Sequence, residues 1–361
     1  MVAPVRDLSE HDLSSRTGPT SHVVDQTSTS LEIAIMVFFR KVLGAALFAI
    51  AVPAIFLTKT VFAFEAFITN ERSGDLISID QEGETAYVQP ICNRPRGMVK
   101  GLEQNQLLIA CSDDDKILEF NIRTRAVERS FDDLYGAMSL AIHRPTQRLF
   151  VTNEGRSQAM VIDLTTGDTL AILPTGLEPD GIAVTDDGTQ VFIASENAGL
   201  VHVFDAVSYQ QTAVIVTHLR PRRVALLENR LWVSSEMGSR VEIFSTETYN
   251  KIDEIIFAPK GFRSEQLTPV DILFDQTGTL AFVALGAANH VAFVNVKSLE
   301  IEKYILVGRR AWGLGVSPDN KSLIVLNGLS DDFTIIDIES RRPRINRQAG
   351  LIPHAIAVFA K

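Results

Sequence analysis

The chain has 361 residues, 46% of them hydrophobic and 22% charged, with a formal net charge of −10 at pH 7. That balance describes a soluble globular protein, and its acidity opposes phosphate backbones, which excludes a nucleic-acid binder. The two cysteines, Cys92 and Cys111, fit neither a CxxC metal site nor a CxxCH haem attachment, so a covalently bound c-type haem is excluded.

Residues 1–35 are polar, rich in Ser and Thr, and follow neither a strand nor a helix period. They read as a leader, either a disordered tail or the product of a start codon assigned too far upstream. Met36 then opens a short basic segment ending in Arg40 and Lys41, followed by sixteen mostly apolar residues from Val42 to Leu57 and the stretch Thr58 to Ala63. Residues 36–63 thus have the pattern of a secretory signal, with the permissive Val61 and the small Ala63 at the cut. An apolar run interrupted by Pro53 is short for a membrane span of ~20 residues. Cleavage after Ala63 is expected, an uncleaved anchor being the alternative. Cleavage leaves a periplasmic or secreted protein without a membrane span.

Beyond the signal a unit of about 42 residues recurs seven times, starting at Ala66, Leu107, Leu149, Val191, Leu231, Leu280 and Leu323. Fixed-period repetition of this length means an array or a propeller. The third unit runs LFVTNEG, QAMVID, a turn LTTGD, TLAILPTG and LEPDGIAVTDDGTQ, so apolar runs of four to seven residues alternate with Gly, Asp, Asn and Thr turns. Such runs are strands, and polar turns such as 185–189 and 275–279 reverse one into the next. Four strands per unit make a propeller blade. The expected fold is all-β: a seven-bladed β-propeller of four-stranded antiparallel blades over residues 64–361, monomeric, with no second domain. PHAIAVFAK at the C-terminus matches the innermost strand of other units (EPDGIAV, RPRRVAL, TPVDILF), so it is expected to complete the first blade and remove the open edges.

Cys92 precedes an innermost strand and Cys111 sits late in the strand that hairpins back along it, so both belong at one edge of a blade. Either they form a bridge, which requires Cα atoms ~4.4 to 6.8 Å apart, or they are two small thiols packed between blades.

The same register places a ring at one rim of the central channel: Arg96, Met138, Asp180, Arg222, Val270, Trp312 and His354, with Arg223 and Asp271 next to it. Pockets use a few convergent polar groups, so this ring is the candidate binding site, against the alternative of an ordinary wet channel mouth. Loops on the same face carry Asn70, Glu71, Asp113 to Asp115, Asn153, Glu154, Glu196, Asn197 and Glu236. The simplest reading is that these cap turn backbone groups. Ca²⁺ would need them in one coordination sphere, so no metal is expected. The fifth unit is the longest, 49 residues, and its extra length falls in 257–267. Long loops on rigid scaffolds carry function, which nominates Arg263 and Glu265 for contact with a partner, a tolerated insertion being the alternative.

No HExxH, GxSxG or glycine-rich phosphate loop is present, and His202 and His290 stand alone. No catalytic set is recognisable.

The segments FITNE, FVTNEG, R-P-R-G and E-P-D-G-I-A-V resemble the YVTN family of seven-bladed β-propeller repeats over about 295 residues. Residues 267–328, with FVALGAANHVAFV and the VGRRAW segment containing Trp312, resemble the exported branch described as PQQ-dependent catabolism-associated β-propeller proteins. The resemblance implies a periplasmic compartment and an association with alcohol oxidation by quinoprotein dehydrogenases and their cytochromes, as a pathway rather than a bound cofactor.

Two readings of function follow. In the first, the chain is a non-catalytic binding or scaffold protein whose polar face docks a quinoprotein dehydrogenase, its cytochrome, or a small anionic metabolite such as the quinone. In the second it resembles the propeller lactonases, with Asp180 or Asp271 and His354 activating water at the channel mouth.

Overall fold

The computed structural model describes residues 63–361; the expected leader 1–35 and the signal segment up to residue 62 lie outside the described residues. Seven four-stranded antiparallel sheets follow one another around a channel. Their innermost strands are Pro353–Ala360 in blade one, then Pro95–Lys100, Ala137–His143, Pro179–Val184, Pro221–Leu227, Asp271–Phe274 and Ala311–Val316 in blades two to seven. The expected all-β propeller is the observed one. Its ring closes as the repeat register requires, with Pro353–Ala360 pairing antiparallel to Phe64–Asn70. Among the described residues no helix is long and apolar enough to cross a membrane.

The core lies between the blades. Phe192, Val201 and Val203 of blade four pack on Val224, Leu231 and Val233 of blade five. The closing seam is built the same way: Ile324, Leu326 and Phe333 of blade seven meet Ala66, Ile68 and Ile77 of blade one. Each large apolar side chain so buried contributes roughly 1.5–3 kcal/mol. Outer strands instead alternate with solvent, as in Thr169–Pro174, or are almost wholly exposed and charged, as in Arg342–Gln348. Charge on an outer strand discourages edge-to-edge association.

One local device recurs and aims the channel residues. In blades one to five and in blade seven the ladder between the innermost and second strands gains an extra residue on the inner strand. The bulge falls at the ring position, for instance between Pro179 and Ile182, and a bulge re-aims the side chain it carries. Its freed backbone groups are taken up by hydroxyls of the second strand. Thr152 Oγ accepts the Ser139 N–H at 3.0 Å and donates to the Asp180 carbonyl of the next blade at 2.9 Å. Thr69 accepts from Ala355 N–H and donates to the Arg96 carbonyl in the same pattern, and Ser234 Oγ accepts the Arg223 N–H. The Thr of FITNE and FVTNEG is thus an inter-blade staple.

The following Asn closes the hairpin loop: Asn70 donates to Asp75, Asn327 to Asp332, and Asn153 accepts the Arg156 N–H. In blade two this column holds Cys111, and it is joined to Cys92 by a disulfide with Cα atoms 5.8 Å apart.

Candidate functional site

The inner-strand register brings Asp180, Arg222, Arg223, Val270, Asp271, Trp312 and His354 around one small chamber in the channel. A wider mouth of about 340 Å³ opens above it, lined by Arg96 and sharing Arg222 and Trp312. Met138 is the exception in the ring. Its side chain is buried and lines neither space, although its blade carries the same inner-strand bulge as its neighbours. Arg263 and Glu265 are exposed and enter neither space. Their loop is a local structure, held by Ser239 Oγ donating to the Ser264 carbonyl and by buried Phe257 and Leu267. His202 accepts from the Gly176 N–H and contacts Gln211, and so is a satisfied structural residue.

The mouth is an ion-pair network. Arg222 is its hub, within 3.2 Å of Asp180 and Glu196 of blade four and of Glu236 of its own blade. Arg220 also pairs with Glu196 and Glu236, and Arg310 reaches Glu236 from blade seven. Across the ring Arg94 and Arg96 share Glu71. Deeper in the channel Arg223 Nε donates to Asp271 at 2.6 Å. The guanidinium groups of Arg222 and Arg310 lie over the Trp312 ring, 4.4 and 4.6 Å from its centroid, cation–π contacts of about 0.5–2 kcal/mol each.

This corrects the capping expected for the acidic loops. Asp114 and Asp115 do cap backbone N–H groups, of Asn93 and Gly136. Glu71, Glu196 and Glu236 instead answer the arginines, because the blades converge and carboxylates one position past each Asn column reach a neighbour's guanidinium. Among the described residues no three His, Cys, Asp or Glu side chains gather closely enough to hold a metal ion.

Sequence reasoning missed Arg94, Arg220 and Arg310. Each sits in left-handed backbone immediately before an inner strand, with φ of 52°, 57° and 59°, in a column that also holds Glu178 and Ile352. The charged residue before the Pro was the available signal for Arg94 and Arg220, whereas Arg310 precedes Ala311. An apolar collar was also missed. Tyr135, Leu177, Leu219 and Leu351 stand one position earlier still, and Met237 and Leu329 lie in loops after second strands; all six are 38–65% exposed. By topology these connections all end on the mouth side of the propeller.

The charges order the protonation states. Burial pushes the Asp180 carboxyl up, but Arg222, Arg223 and Arg96 outweigh it and hold it well below the usual carboxylate range. Burial pushes Glu196 up to about 7, with Arg222 opposing and the Asp180 charge adding. Asp271 holds Arg223 charged. Burial, reinforced by Arg96, Arg222 and Arg223 and opposed by Asp180, keeps His354 neutral well below the usual histidine range. An unfolded histidine takes up a proton near pH 6.5 while folded His354 does not, so this residue makes stability fall as pH drops. Each unit below 6.5 costs up to about 1.4 kcal/mol. Scanning calorimetry should therefore show the melting temperature of the wild type falling relative to His354→Gln by about 3 °C per pH unit below 6.5; parallel curves would contradict the assignment.

These features define a closed seven-bladed propeller with a charged channel mouth on one face. The chain belongs to the choice-of-anchor I domain family, whose profile matches residues 135–325. That family's description accords with an exported, cell-surface protein. Among solved structures it is similar to hydrazine synthase of Kuenenia stuttgartiensis, 13% identical with a TM-score of 0.65, over 74% of this chain and 95% of that one. It is also similar to a functionally unknown protein from Desulfotomaculum acetoxidans, 11% identical with a TM-score of 0.71, over 82% of this chain and 99% of that one. At these identities the likeness shows the fold alone. No curated protein matches the chain.

Proposed function

We propose that the chain is an exported, non-catalytic binding propeller that docks a protein partner on its channel face. The observation that carries this reading is the apolar collar of Tyr135, Leu177, Leu219, Met237, Leu329 and Leu351 around a charged mouth. Exposed apolar residues grouped on one face mark interaction surfaces, whereas singly scattered ones need no explanation. The mouth adds a polar centre that a partner must match. The resemblance to YVTN and PQQ-associated propellers makes a periplasmic quinoprotein dehydrogenase or its cytochrome the proposed partner, and alcohol oxidation the proposed context.

The lactonase-like reading lacks its dyad. Asp180 is engaged by Ser139 and Arg222, Asp271 by Arg223 and the Ile272 and Leu314 N–H groups, and neither ring nitrogen of His354 has a hydrogen-bond partner. A general base must reach the proton it removes, and Asp180, held well below the usual carboxylate range by its arginines, is a weak base.

The test is a pull-down from periplasmic extract of alcohol-grown source cells, with the tagged chain and a Leu177→Glu, Leu219→Glu, Met237→Glu variant as baits. Capture of a quinoprotein dehydrogenase or its cytochrome by the wild type alone supports the reading. Equal capture by both baits moves the interface off this face.

A further inference from the structure

Beneath the mouth the channel narrows to a chamber of about 100 Å³, room for several waters or a small organic molecule. Its walls and its floor differ in character. Asp180, Arg223, Asp271, Trp312 and His354 line the walls, while Met98, Leu314 and Ile356 line both the chamber and the apolar space at the opposite end of the channel, so they form the floor.

Several donors in the walls have no protein acceptor. All four carboxylate oxygens are engaged: Asp180 by Ser139 Oγ at 2.8 Å and by Arg222 at 3.2 Å, Asp271 by Arg223 Nε at 2.6 Å and by the N–H groups of Ile272 at 2.9 Å and Leu314 at 3.0 Å. On the donor side, Arg223, whose side chain is 37% exposed, spends only its Nε on Asp271, and its terminal nitrogens and the indole N–H of Trp312 make no hydrogen bond to another described residue. Both ring nitrogens of His354 are buried and unpartnered. A neutral imidazole brings one donor and one acceptor, so His354, Arg223 and Trp312 each offer a donor that no other side chain of the walls takes up. A buried polar group without a partner costs about 1–3 kcal/mol, and an acceptor that enters the chamber removes that cost for the ring N–H of His354.

We propose that this chamber binds a short-chain aliphatic carboxylate. The planar end of the Arg223 guanidinium receives the carboxylate in a two-pronged contact, His354 and Trp312 donate from the other side, and the alkyl end rests on Met98, Leu314 and Ile356. Asp180 and Asp271 balance Arg222 and Arg223, so the anion is held by directed hydrogen bonds and not by surplus charge, and the apolar floor selects an organic anion over an inorganic one. This inference rests on reading the channel face as a binding surface, but not on the docking of a partner there.

Isothermal titration of the full chain with sodium propionate, at constant ionic strength, tests it, with propionamide and inorganic phosphate as comparators. The expected result is saturable one-to-one binding of propionate alone, weakened at least tenfold by Arg223→Gln. Arg223→Lys, which keeps the charge beside Asp271 and the fold, should bind with intermediate affinity. No saturable heat with propionate, equal binding of propionamide or phosphate, or unchanged binding in a folded Arg223 variant would overturn the proposal. Leu219→Glu separates the two readings, since it should abolish partner capture and leave propionate binding intact.

Discussion

Removal of the last nine residues, Pro353–Lys361, leaves a chain that does not melt cooperatively. These residues supply the inner strand of blade one, which pairs along the whole of Phe64–Asn70, a strand buried at every position. Their loss strips the partner from that strand and exposes the inner side of Phe67, against which Phe359 packs edge-on. It also opens the channel wall, because the His354 carbonyl lies so close to Gly313 of blade seven that a Cβ there would meet it at 2.6 Å. Losing one buried Phe costs about 3–5 kcal/mol, and an unpaired inner edge adds several buried backbone groups without partners. The sum exceeds about 10 kcal/mol, most or all of the 5–15 kcal/mol that holds an ordinary domain together. Circular dichroism melts of the chain truncated after residue 352 should show no sharp transition. A cooperative transition within a few degrees of the full chain would mean that the ring closes by other contacts.

Arg222→Ala should cost about 3–5 kcal/mol, the usual penalty for removing one partner from a buried charge cluster, and lower the melting temperature by about 10 °C. The substitution takes from Asp180 its ion pair, from Glu196 one of two arginines and from Glu236 one of three, all on side chains no more than 12% exposed, and removes a guanidinium from the Trp312 face. The charge of Arg222 sustains the low acidity range of Asp180 against its burial. Asp180, left without its ion pair, escapes the penalty by taking up a proton, so the deficit should shrink as pH falls from 7 to 5, and Asp180→Asn in the same chain should restore part of the loss. Calorimetry that finds less than about 1 kcal/mol would place the cluster with ordinary surface ion pairs. Loss of Arg222 disturbs two blades, which makes it a poor probe of docking. The exposed collar residues are better, because surface changes away from such networks stay within about 0.5 kcal/mol.

Fold and closure were legible because both depend on period and pattern. Seven units of near-constant length fix the blade count, and the likeness of the final strand to the other inner strands fixes the seam. The ring was legible for the same reason: Asp180, Arg222, Trp312 and His354 share one offset in their units, and a bulge at that offset turns them into the channel. The pairing of charges was not. Whether Glu196 caps a turn or meets Arg222 depends on the distance between neighbouring blades, which no single unit encodes. Arg220 and Arg310 looked like turn residues because they are turn residues, and only the left-handed backbone shared by their column places them at the mouth. Leu177, Leu219 and Leu351 were hidden among the apolar residues that every blade needs, and only their exposure separates them from the core.

The central claim, that this face docks a partner, is tested most directly by the affinity of the captured protein for folded collar variants. Leu219→Glu and Met237→Glu should each weaken binding at least tenfold with little change in melting temperature, while Asp186→Lys, exposed on the opposite face, leaves it unchanged. Loss of binding in Asp186→Lys with the collar variants binding as the wild type does would contradict the account.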